Sequence, residues 1–205
     1  MKENNNKEFS QSGLEPQIVA EHRLGMTAFI YSIIMLGSSF MPEESVVKWL
    51  LINIFFSIIF LFTLFMLWSK YKNDTGRYYS YQVYGMLMGI VFFGITPIFK
   101  LSYPSIYFWI IAFITTTLII SSHLLRKRIV MSFVNKKHKI LLTILSIYMM
   151  LLIIIGIALM AIMRNNQSPE NAGMSILIYL VCAMFMVMAP AFLVSKDDVE
   201  KLKIK

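Results

Sequence analysis

Cysteine is nearly missing from this chain: Cys182 stands alone, so no internal disulfide can form and no oxidising compartment is implied. Charge is scarce as well. Asp, Glu, Lys and Arg make up 15% of the 205 residues while hydrophobic residues reach 58%; soluble domains carry about 25% charged residues. That balance excludes a water-soluble enzyme, and equally a disordered or fibrous chain. The usual signatures of chemistry are missing too. No Gly-x-Ser-x-Gly, His-Glu-x-x-His or Walker sequence occurs. His22, His123 and His138 make no metal-ligand spacing. Catalytic, cofactor and metal residues therefore have no candidates, and enzymatic activity is not expected.

Long uncharged apolar runs fill the space instead. About 20 helical residues cross about 30 Å of hydrocarbon, and only helices or closed barrels satisfy every backbone amide in lipid. These runs are continuous rather than alternating, which predicts helices. Six are readable, over 24–41, 46–68, 81–99, 105–125, 140–163 and 174–194. The predicted fold is all-α, a polytopic membrane bundle of six transmembrane helices over 24–194. A polar segment, 1–23, precedes it and a basic tail, 195–205, follows. Residues 1–23 mix acids and bases, unlike the short basic start of a signal peptide, so the first run is read as a span. From Glu15-Pro16 onward a helix is expected, lying on the lipid surface or extending the first span.

The distribution of bases sets the orientation. With the N-terminus in the cytoplasm and six crossings, sixteen Lys and Arg residues fall inside and three (Lys48, Lys100, Arg164) outside. This is a strong positive-inside bias, and it places both termini in the cytoplasm of a multi-pass cell-membrane protein. Apart from Lys48 at the outer start of the second, no Asp, Glu, Lys or Arg falls within the six predicted stretches. Proton coupling, voltage sensing and selectivity by charged rings usually need such groups.

Few residues invite a specific role. Gly85 and Gly89 form a flat strip in a GxxxG pattern, with Gly94 further on, on which another helix can approach closely. Packing within the chain is its expected use, with homo-oligomer formation or partner docking as alternatives. Arg126, Lys127, Arg128, Lys136, Lys137 and Lys139 crowd a segment without acids. It is expected to lie as a loop on the anionic cytoplasmic leaflet. Nucleic acid is not an expected partner, because no recognition module accompanies the charge. Asn53, Thr115, Thr116, Thr117 and Ser121 are the expected polar groups inside the bundle. His123 is expected to be neutral at the interface, bonded to backbone or lipid. Glu43-Glu44 before Lys48 reads as a helix N-terminus rather than the Glu-Glu-x-x-x-Arg of CAAX-protease-like peptidases. A 93-residue shift aligns Pro97 with Pro190 but gives only six identities over 47–100, so no internal repeat is supported.

In size, six-span layout and Ile/Phe/Met-rich make-up, with the Asn4-Asn5-Asn6 start and the Lys-rich tail from Lys196 to Lys205, the chain resembles a group of small polytopic membrane proteins. These are encoded beside toxin genes in staphylococcal type VII secretion loci. The resemblance implies a secretion-accessory or immunity role against a membrane-active toxin, without implicating any particular residue. The expected function is non-catalytic: binding another membrane protein or toxin, the alternative being the membrane subunit of a transporter or exporter.

Overall fold

A computed structural model describes residues 16–42, 45–71, 74–134, 140–165, 170–195 and 198–200. Among them every regular element is helical: α1 Pro16–Phe40, α2 Val46–Tyr71, α3 Thr75–Ser102, α4 Ile106–Val134, α5 Ile140–Asn165 and α6 Glu170–Met188. A 3-10 turn, Ala189–Leu193, follows α6. Five of these helices carry apolar segments long enough to cross a membrane: Arg23–Phe40, Val46–Tyr71, Gly76–Ser102, Ile106–Val134 and Ala172–Leu193. In α5 the corresponding apolar stretch is shorter, Thr143–Ala158.

The helices overrun the boundaries expected from hydropathy, each for a local reason. α1 begins at Pro16 and runs unbroken into the first apolar segment, proline being suited to a first helical turn. α3 begins six residues early, because the Asp74 carboxylate accepts the Arg77 backbone N–H at 3.0 Å and caps the helix. α4 does not stop at Leu125 but continues to Val134, since Ile129 and Val130 are buried and favour continued packing. Arg126, Lys127 and Arg128 therefore lie on a helix and not in a surface loop, correcting the sequence expectation. Pro97 neither ends α3 nor prevents it from reaching Ser102. Pro190, by contrast, sits at the start of the 3-10 turn where α6 gives way.

Packing centres on α3, which contacts α1, α2, α4, α6 and the 3-10 turn. α6 in turn lies against α3, α4 and α5. Two three-helix groups, α1–α3 and α4–α6, thus meet mainly along α3 and α6, although sequence identity alone supports no repeat. The seam is built from Val91 and Ile95 of α3 and Cys182 and Met186 of α6, all buried. A second cluster joins α1, α2 and α3, where Tyr31 meets Phe93 edge-to-face at 5.5 Å and Phe56 meets Phe92 at 4.4 Å.

The exterior is greasier than the seams. Phe55, Ile58 and Phe62 on α2, Phe113 and Leu124 on α4, and Ile144 and Met150 on α5 are exposed. Asn53, Ser39, Thr96 and Thr115 are buried. Water would favour the reverse arrangement, whereas lipid favours this one, because hydrocarbon is as apolar as a leucine and helices adhere through small and polar residues.

Candidate binding site

The glycine strip of α3 accepts three helices, each at a different level. Gly85 lies against α2, where an added Cβ would stand 2.7 Å from Leu64 Cδ2. Gly89 takes the ring of Tyr31 from α1, and Gly94 takes the Sγ of Cys182 from α6. The Tyr31 hydroxyl also donates to the Gly85 carbonyl at 2.6 Å. Loss of the side chain is what lets these partners approach the α3 backbone.

At the end of the bundle where α1 turns into α2, polar groups form a buried knot. Asn53 Nδ2 donates to Ser39 Oγ at 2.9 Å, and Thr96 Oγ1 donates to Asn53 Oδ1 at 3.4 Å. Lys100 is drawn into it, with Nζ donating to the carbonyls of Ser39 and Pro42 at 2.7 and 2.6 Å. Sequence reading puts Lys100 in an outer segment, beyond the end of the third span. In the fold Lys100 lies within α3 and is 8% exposed. The signal that could have revealed it is its spacing, one turn beyond Thr96 on the same helix face.

Toward the opposite end, which carries Arg23 and Arg126–Arg128, the Arg23 guanidinium stacks 3.3 Å from the Tyr79 ring centroid. Gln82 Nε2 donates to Thr27 Oγ1 at 3.3 Å. Beside them Tyr78 Oη and Gln82 Oε1 are buried without a hydrogen-bond partner among the described residues. His123 Nδ1 faces the Ile119 carbonyl at 2.7 Å, and Nε2 lies 2.8 Å from Tyr84 Oη. With the proton on Nδ1, the tyrosine donates to Nε2, so His123 links α3 to α4 through a partner the sequence did not indicate. Of the threonines, Thr115 is buried and bonds Tyr179 Oη at 3.0 Å. Thr116, Thr117 and Ser121 point outward, and Ser122 is the buried serine. Among the described residues, no three His, Cys, Asp or Glu side chains converge as a metal site.

An opening lies on the side of the bundle. A cleft of about 530 Å³ runs between α4, α5 and the end of α6, walled by Leu118, Leu125, Ile129, Ile144 and Val187. Ser121, Ser132 and Arg128 also border it. A smaller hollow along Phe113, Ile114 and Thr117 continues it up α4. Lys127 is bound to Asp198 of the tail at 3.3 Å. Lys136, Lys137 and Lys139 lie outside the described residues, so of the predicted basic group the structure places only Arg126, Lys127 and Arg128. No known protein family, curated protein or solved structure matches this chain.

Proposed function

We propose that the chain is a non-catalytic, multi-pass cell-membrane protein with six spans and cytoplasmic termini, which acts by binding another membrane protein or a membrane-active toxin. The carrying observation is the way α5 is held. It packs on α6 and more thinly on α4, fixed by the Tyr148 hydroxyl donating to the Leu180 carbonyl at 2.8 Å and by Gly156 facing Leu177. Its other side presents Ile147, Met150, Leu151, Ile154 and Ile157 outward. A helix held along one edge can take a partner helix on the other without opening the core. Asn53, Thr96 and Lys100, by contrast, are engaged along the seams of the other helices. The likeness to small proteins of type VII secretion loci adds the secretion-accessory or immunity role. A second reading, the membrane subunit of an exporter, draws on the division into two three-helix groups along α3 and α6.

In-membrane photocrosslinking tests the first reading. With a photoreactive residue at Met150 or Ile154, one stoichiometric membrane partner should be recovered, and the same residue at Phe55 of α2 should recover far less. Purified protein that by itself drives solute uptake in liposomes would contradict it. Orientation has its own test in intact cells, using a membrane-impermeant maleimide. A cysteine at Ser105, which is exposed between α3 and α4, should label at once. One at Ser195 should label only after permeabilisation, and native Cys182, being buried, should stay silent. Labelling of Ser195→Cys in intact cells would invert the topology.

A further inference from the structure

We propose that the cleft between α4, α5 and α6 is a binding site for an anionic phospholipid, with one acyl chain in the cleft and the phosphate on Arg128. The proposal rests on the membrane-spanning reading of the chain but not on the protein partner proposed for α5.

The length of the cleft is the first argument. From Leu118 to Arg128, both on its wall, α4 rises about 15 Å, the depth of one leaflet in a hydrocarbon core about 30 Å thick. Arg128 therefore stands at headgroup level when Leu118 stands near the midplane. Leu118, Leu125, Ile129, Ile144 and Val187 give the cleft apolar walls, and Arg128, ten residues along α4 from Leu118, is the one charged side chain among its described lining residues.

Width selects the kind of occupant. A helix with its side chains is about 10–12 Å across, too broad to enter between α4 and α5 while the two touch each other and both pack on α6. An unbranched hydrocarbon chain is slim enough. Charge selects the headgroup. Lys127, the next residue, is already paired with Asp198. The Arg128 guanidinium makes no hydrogen bond or ion pair among the described residues, and its planar fork matches a phosphate's oxygens. Among the described residues no carboxylate borders the cleft. A zwitterionic lipid would bring its own cation beside Arg128, whereas an anionic one would not.

The test uses the full-length protein in nanodiscs containing phosphatidylcholine with a minor fraction of phosphatidylglycerol. Either lipid carries a diazirine on its acyl chain, and the crosslinked peptides are mapped by mass spectrometry. Phosphatidylglycerol label should concentrate on residues 118–132 and 140–144. Arg128→Gln should reduce that label roughly fivefold, the factor for one base at an anionic surface, and should leave phosphatidylcholine labelling unchanged. Ser121→Trp, which fills the cleft from its exposed rim, should exclude both lipids. Equal labelling by the two lipids, or labelling insensitive to Arg128→Gln, overturns the proposal. So does a cleft closed to both lipids in wild type, as a seated partner helix or second copy would make it. Label on the outward faces of α2 with none in the cleft would sink the lipid site alone. Failure of the protein to enter nanodiscs at all would sink the membrane reading with it.

Discussion

Replacing Lys100 with methionine should lower the melting temperature in detergent sharply, with a loss on the order of 1.5–3 kcal/mol, the range for hydrogen bonds to charged groups. The reason lies at the end of another helix. The last carbonyls of α1 have no partner within that helix and carry the negative end of its dipole. The Lys100 ammonium serves the Ser39 carbonyl and, just beyond the helix, that of Pro42. Methionine keeps the length and apolar stem but leaves both oxygens buried without this donor. Lys100→Arg keeps the charge, yet its planar fork cannot reproduce a compact ammonium between two carbonyls, so an intermediate loss is expected. Lys48→Met is the control, because Lys48 is exposed and lies 5.8 Å from the Tyr103 ring. Equal melting of Lys100→Met and wild type would remove the buried lysine from the account of what joins α1 to α3.

Lys100 also shows where reading the sequence stops. Apolar runs announce helices because lipid-compatible segments must be both long and uncharged, and the described helices lie where those runs predict them. Their ends were less legible, since a charged residue ends a hydrophobic run but not a helical backbone. The basic triplet at Arg126 looked like a boundary, while Ile129 and Val130 beyond it are buried. Polar residues posed a question of register. Asn53 is recognisable as an intramembrane polar group, but its partners Ser39 and Thr96 come from two other helices. Among three consecutive threonines, tertiary packing alone selects Thr115. The partner of His123 lies 39 residues away at Tyr84, a separation no local pattern encodes. The cleft was the least legible feature, because it results from α4 and α5 diverging after a short connection.

A large effect of a single added carbon should appear where α3 meets α6. A Cβ built at Gly94 runs into Cys182 Sγ and stands 3.4 Å from Ile178 Cγ2. The sulfur is one bond from its own Cβ and buried, so it cannot swing aside as the end of a long side chain can. Gly94→Ala must therefore push α3 from α6 and loosen Val91 and Ile95 against Met186. Such overpacking costs about 1–3 kcal/mol. Gly85→Ala meets the flexible tip of Leu64 and should cost less. The obstructing atom is a single sulfur, so the effect should be conditional. Cys182→Ala in the Gly94→Ala background should recover most of the lost stability, although Cys182→Ala alone should be mildly destabilising. The four proteins form a double-mutant cycle, read as melting temperatures in one detergent, and contact predicts a strong favourable coupling. Additive losses would mean that α3 and α6 do not meet at Gly94 and Cys182, and the joining of the two three-helix groups along that line would have to be abandoned.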